Sequence, residues 1–133
     1  MTDFEFGGIH VIADITGVAP DVIRDDQAIL RGLDAGLSRS GATLCGLQVK
    51  HFEPAGLTVV YLLSESHTSV HTYPEQNALF FDAFTCGSTC TPEAILDALT
   101  DELGPCQVRV EVLRRGENSW RPQDAVNFAL SAR

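Results

Sequence analysis

Two strand-like runs, Thr43–Glu53 and Leu57–Leu63, are separated only by Pro54-Ala55-Gly56. For so short a turn the simplest connection is an antiparallel hairpin, and that pair sets the terms for the rest of the chain. Gly8–Ile15 (GIHVIADI) is apolar and β-branched and predicts a buried strand. Ala78–Phe84 predicts another, and Gln107–Leu113 (QVRVEVL) alternates as a final strand with one wet face should.

Helical spacing falls between these runs. After Pro20-Asp21, the residues Ile23, Ile29, Leu30, Leu33 and Leu37 lie near one face, and Ser40-Gly41 stops the pattern. Thr91 is placed to cap a second helix with Pro92 in its first position. Ile95, Leu96, Leu99 and Leu103 form its apolar stripe, and Gly104-Pro105 ends it. Thr68, Val70, Thr72 and Tyr73 favour a further strand before Ala78, so the order is strand, helix, two strands, two strands, helix, strand. It predicts an α+β fold: a two-layer α/β sandwich, mainly an antiparallel sheet with helices on one face. The other face is left open for a ligand or a second copy. Residues 116–133 read as a peripheral tail with a short helix from Gln123.

A length of 133 residues predicts one domain, 1–133, with one proper core. No apolar run approaches the length of a membrane span, and MTDFEFGG lacks the basic-then-apolar layout of a signal peptide. The expectation is a cytoplasmic protein with no membrane partner. A formal charge of −9 without a basic stripe argues against nucleic acid. The four cysteines show no paired C-x-x-C spacing and read as free thiols.

The chemistry concentrates in LLSESHTSVHTYPE, residues 62–75. Polar groups attached to a buried strand are costly unless they are hydrogen-bonded or reactive. A shared metal is rejected, because His67 and His71 on a strand are separated by roughly 13 Å. Cys86 and Cys90 could add thiolates but lack the tight paired spacing of a zinc site. A serine hydrolase is also disfavoured: there is no G-x-S-x-G elbow, and adjacent residues such as Ser66 and His67 point apart on a strand.

SESHTSVHTYPE followed by FFDAFTCG closely resembles the small prokaryotic type of pyruvoyl-dependent S-adenosylmethionine decarboxylase proenzyme. The likeness extends to HVIADITG, HFEPAGLTVV and VEVLRRG, in matching order over roughly residues 8 to 115. The resemblance implies cleavage between Glu65 and Ser66, giving a β chain of 1–65 and an α chain of 66–133. In such a cut the Ser66 hydroxyl attacks the preceding carbonyl, and β-elimination from the resulting ester severs the chain. What remains at the new N-terminus is hydrolysed by water to a pyruvoyl group and ammonia. The pyruvoyl ketone would form a Schiff base with a substrate amine, doing the work otherwise given to pyridoxal phosphate. No metal and no pyridoxal phosphate is implied.

By the same resemblance His71 is the processing histidine, and Thr58 aligns with a processing serine. Cys86 is the proton donor after carbon dioxide leaves. Phe52 and His67 are implied to sandwich adenine, Glu75 to accept from the ribose hydroxyls, and Tyr73 to lie near the substrate where tryptophan is frequent. Cys45, Cys90 and Cys106 have no matched role and are taken as structural. The implied product is S-adenosyl 3-(methylsulfanyl)propylamine, the aminopropyl donor for spermidine synthesis, made by a homodimer with sites between protomers. Thr68, Tyr73 and Gln76–Phe81 depart from the commonest family pattern. The rival readings are an arginine or ornithine decarboxylase of the same family, or a non-processing homologue that regulates an active partner. Ser66 and His71 differ by an odd number, so a straight strand puts them on opposite faces. Either a bulge intervenes or the new chain end swings free.

Overall fold

The computed structural model describes residues 6–86 and 90–116. In chain order they form β1 (Gly7–Thr16), α1 (Pro20–Ile23), α2 (Asp26–Ser40), β2 (Leu44–His51) and β3 (Leu57–Leu63). Then come β4 (Ser66–Tyr73), a 3-10 turn (Pro74–Gln76), β5 (Ala78–Thr85), α3 (Pro92–Leu103) and β6 (Gln107–Gly116). The strands make one six-stranded sheet in the order β2-β3-β4-β5-β1-β6, with every neighbouring pair antiparallel. This is the expected α+β sandwich.

Alternation decides which face the helices cover. In β3 the residues Leu57, Val59, Tyr61 and Leu63 are buried, while Thr58, Val60 and Leu62 face the other way. In β4, Thr68, Val70 and Thr72 turn inward, and His67, Ser69, His71 and Tyr73 stand on the open face. The inward threonines are satisfied: Thr68 Oγ1 donates to the Asp82 carbonyl at 2.7 Å, and Thr72 Oγ1 accepts from Leu57 N–H at 2.8 Å. The core closes against Ile29, Leu33 and Leu37 of α2 and Ile95, Leu99 and Leu103 of α3.

The two helices approach closely because α2 presents glycine to α3. A Cβ on Gly36 would sit 2.7 Å from Ile95 Cα, and one on Gly32 would sit 3.1 Å from Leu99 Cα. This pairing keeps the helix layer narrow, over the middle of the sheet.

Several local expectations need correction. The first helical run is broken into α1 and α2, because the Asp25 side chain accepts from Ala28 N–H at 3.1 Å and caps a fresh helix. Thr91 occupies the N-cap of α3, but its side chain makes no capping bond. β6 extends to Gly116, so the tail begins one residue later; residues 117–133, with the helix expected from Gln123, lie outside the described residues. The wet-and-dry pattern expected of β6 is not realised within one chain. Val108, Val110, Val112 and Leu113 are all exposed, because β6 is an edge strand beyond the reach of the helix layer. All four cysteines are free thiols, with Cys90 buried and Cys45 exposed. No helix among the described residues is long and apolar enough to cross a membrane.

Candidate active site

The polar cluster divides between the two ends of β4. At the first end, Ser66 opens the strand opposite Thr85, the last residue of β5. Cys86 comes next, and both of its donors point at one atom. Its backbone N–H meets the Glu65 carbonyl oxygen at 3.0 Å, and its thiol meets the same oxygen at 3.2 Å. Two donors converging on a carbonyl polarise it and would hold negative charge developing there. The Glu65 side chain is fixed as well, accepting from Thr43 N–H at 3.0 Å.

Ser66 itself has φ of 152°, a region otherwise left to glycine. Such a conformation costs about 1–3 kcal/mol and persists only where its surroundings impose it. It also overrides strand alternation. Ser66 Oγ lies 3.3 Å from His67 Nδ1, although neighbours on a regular strand should point apart. No register shift marks the pairing of β4 with β3 or β5, so the irregularity lies in the first residue and not in a bulge.

Behind His67 stands Asp82, on β5. Its Oδ2 accepts from His67 Nε2 at 3.0 Å and from His10 Nε2, on β1, at 2.8 Å. Its Oδ1 accepts from the Ser69 hydroxyl. Arg115, on β6, donates to His10 Nδ1 at 2.9 Å. Burial alone would raise the Asp82 carboxyl, but the bonds from Ser69, His10 and His67 outweigh it and hold the group below its usual range. The ligating atoms of His10, His67 and Asp82 lie within 4.8 Å of one another. The hydrogen bonds account for that spacing. Around them, Phe84 packs 5.5 Å from the His10 ring and lies under the Arg115 guanidinium.

At the second end of β4, His71 Nδ1 is hydrogen-bonded to the Thr58 hydroxyl directly across the β3–β4 ladder. An aromatic row surrounds it. Phe52 lies 6.2 Å from the His71 ring, Tyr73 lies 4.6 Å from it, and Phe80 is 4.8 Å from Tyr73. Glu75 is exposed on the 3-10 turn that follows. Between the two ends, an open-face groove of about 320 Å³ is lined by Thr58, Val60, Ser69, His71, Phe80 and Asp82.

Of the residues singled out in the sequence, the structure therefore brings Ser66, His67, Glu65 and Cys86 together. It brings Thr58, His71, Phe52 and Tyr73 into a second group. Phe52 and His67, expected as an adenine pair, belong to different groups within one chain. His10, Ser69, Asp82, Phe80 and Arg115 were not anticipated. For His10 and Asp82 the sequence signal was a polar residue inside each of the largely apolar runs GIHVIADI and ALFFDAFT.

A two-layer α/β sandwich that gathers serine, histidine, aspartate and cysteine side chains at one end of its antiparallel sheet defines a class: enzymes of the open-faced sandwich type. Comparison with known proteins makes the class specific. Residues 9–116 match the S-adenosylmethionine decarboxylase family, and the chain belongs to it. An S-adenosylmethionine decarboxylase proenzyme of Symbiobacterium thermophilum is 37% identical over 124 residues, 93% of this chain and 94% of that one. A second such proenzyme, from Bacillus anthracis, is 39% identical over 109 residues, 82% of this chain and 89% of the relative. The crystal structure of the adenosylmethionine decarboxylase from Aquifex aeolicus superposes with a TM-score of 0.77 at 31% identity, covering 85% of this chain and 93% of that one.

Proposed function

We propose that this chain is a proenzyme that cuts itself between Glu65 and Ser66 and then decarboxylates S-adenosylmethionine, releasing carbon dioxide and an aminopropyl donor. The observation that carries the reading is the pair of Cys86 donors on the Glu65 carbonyl, beside a serine held at φ 152°. Attack by Ser66 Oγ on that carbon turns the carbonyl oxygen into an oxyanion, which the Cys86 N–H and S–H stabilise. Collapse to the ester breaks the peptide bond that holds Ser66 in its unfavourable conformation. Elimination then removes the Ser66 α-proton, with Thr58 and His71 as the assigned pair, and separates 1–65 from 66–133.

The residues present fit a pyruvoyl group at position 66, since its precursor serine already lies against Cys86 and His67. Formed there, such a ketone would supply a carbonyl for a substrate amine and a sink for the electrons of decarboxylation. The Cys86 thiol, freed from the Glu65 carbonyl once the chain is cut, supplies the proton to the decarboxylated carbon. The aromatic row Phe52, His71, Tyr73 and Phe80 suits a flat base and a sulfonium, and cation–π attraction there is worth about 1–2 kcal/mol when desolvated. Glu75 is the assigned partner of the ribose hydroxyls.

Thr58 and His71 cannot serve Ser66 of their own chain without rearrangement. Five residues along β4 place Ser66 about 16 Å from His71. A second copy, docked on the open sheet face, would bring its own far end to Ser66. This supports a homodimer with mixed sites.

Intact-mass measurement on purified protein tests the proposal. Two polypeptides are expected, the second beginning with a pyruvoyl group, together with carbon dioxide release from S-adenosylmethionine. A single unmodified chain would instead support a regulatory homologue. Agmatine or putrescine release from arginine or ornithine, without turnover of the nucleoside, would overturn the substrate assignment.

A further inference from the structure

The proposed cut needs a base for the Ser66 hydroxyl, and His71 lies at the wrong end of β4 to act within the same chain. We infer that Ser66, His67 and Asp82 form a proton relay that starts the self-cleavage, with His67 as the catalytic base and Asp82 as the residue that positions it. This rests on the proposed function and deepens it.

The hydrogen-bond directions argue for the relay. Arg115 has only donors, so the His10 Nδ1 that it meets at 2.9 Å must accept. The His10 proton is then on Nε2 and is donated to Asp82 Oδ2. Asp82 is thereby held as an acceptor, with Ser69 donating to its other oxygen. His67 Nε2, 3.0 Å from the same Oδ2, must carry a proton too. In the neutral ring this leaves the lone pair on Nδ1, the nitrogen 3.3 Å from Ser66 Oγ. The tautomer required for a base is thus fixed from β6 through β1 and β5 to β4, the logic by which a carboxylate orients a catalytic imidazole.

The step balances within the chain. The Ser66 O–H proton passes to His67 Nδ1 as the Oγ–C bond to Glu65 forms. The Glu65 oxygen takes the charge under the two Cys86 donors. When the C–N bond breaks, His67 returns the proton to the departing Ser66 nitrogen. Amide becomes ester with no external reagent. The charged and titratable groups around His67 all have assigned positions: Asp82 on its Nε2, His10 and Arg115 behind Asp82, and Glu65 and Cys86 at the scissile bond. The imidazolium formed in transit faces the Asp82 carboxylate, which opposes its charge.

The test follows freshly made full-length chain by intact mass, with and without hydroxylamine, which severs an ester and leaves the amide intact. His67→Ala should slow cutting by about 10²-fold or more, with no hydroxylamine-sensitive species accumulating. Added imidazole should restore part of the rate. His71→Ala should behave oppositely, accumulating an ester that hydroxylamine cleaves. Asp82→Asn should slow cutting in the wild-type background but add nothing to His67→Ala, and Asp82→Glu should recover part of the loss. His67→Gln is measured beside His67→Ala, with circular dichroism of both, so that misfolding is not taken for lost chemistry. Unchanged cutting in a folded His67 variant overturns the relay. So does hydroxylamine-sensitive ester in it, which would place His67 after the acyl shift. Wild-type chain that never cuts overturns the proposed function itself, a distinguishable result.

Discussion

At the scale of single residues, Cys86 offers two donors to one oxygen, and mutation can separate them. Cys86→Ala keeps the backbone N–H on the Glu65 carbonyl and removes the thiol. Loss of one oxyanion donor typically costs 10²–10³ in rate, so cutting should slow by about 10²-fold, and Cys86→Ser should recover much of it. A time course of intact mass reads both variants; equal rates in wild type and Cys86→Ala would confine the thiol to the later proton transfer. Which residues matter here was legible to different depths. Ser66 and Cys86 stood out only through the combined motif, since each type is common in isolation. Asp82 lay inside the quoted FFDAFTCG stretch without a role, because its partners His10 and His67 come from two other strands. Sequence order hides that meeting: β1 inserts between β5 and β6, 72 positions from Asp82. The contact between Ser66 and His67 was hidden differently. Alternation forbids it, and one positive φ permits it.

Elements were easier to read than their edges. The short Pro54-Ala55-Gly56 segment pointed to the β2–β3 hairpin, although β2 stops at His51 and the connection runs over residues 52–56. The apolar stripes located α2 and α3. The break between α1 and α2 depended on one aspartate choosing to cap, which periodicity does not register. The exposure of β6 depended on the width of the helix layer, and that width is set where α2 crosses α3 at Gly32 and Gly36. Here propensity and packing conflict. Gly36→Ala should gain about 1 kcal/mol in helix propensity. Its Cβ, however, would lie 2.7 Å from Ile95 Cα and 3.0 Å from the Ile95 carbonyl oxygen, both backbone atoms that cannot rotate away. Overpacking typically costs 1–3 kcal/mol, and contact with backbone belongs at the upper end. The variant is therefore expected to be less stable by about 1–2 kcal/mol net. Urea unfolding of the purified chain checks it, and a raised midpoint would mean that the helices can move apart freely.

At the scale of the whole molecule, the described residues leave the sheet face that carries the candidate site uncovered. Val60, Leu62 and Phe80 are exposed on the open side of the sheet, among the groups assigned to catalysis. Large apolar side chains grouped beside a polar site point to a surface that is buried in use. Two-fold pairing of such faces is self-complementary, so each copy would receive from the other whatever it gives. The separation of Ser66 from His71 along β4 makes this more than an economical packing, because it predicts which defects can complement. Ser66→Ala lacks the residue proposed to be cut but retains Thr58, His71 and the aromatic row. His71→Ala lacks the proposed processing group but retains Ser66, His67, Asp82 and Cys86. Expressed alone, neither should yield separated fragments. Expressed together, a mixed dimer would contain one complete site, made from Ser66 of one chain and His71 of the other. With equal amounts and random pairing, about half of the His71→Ala chains should be cut, and no Ser66→Ala chain should be. Mass spectrometry distinguishes the two chains by their substitutions. Were His71 to act on its own chain's Ser66, co-expression would cut nothing, and the open face would have to be explained without shared catalysis.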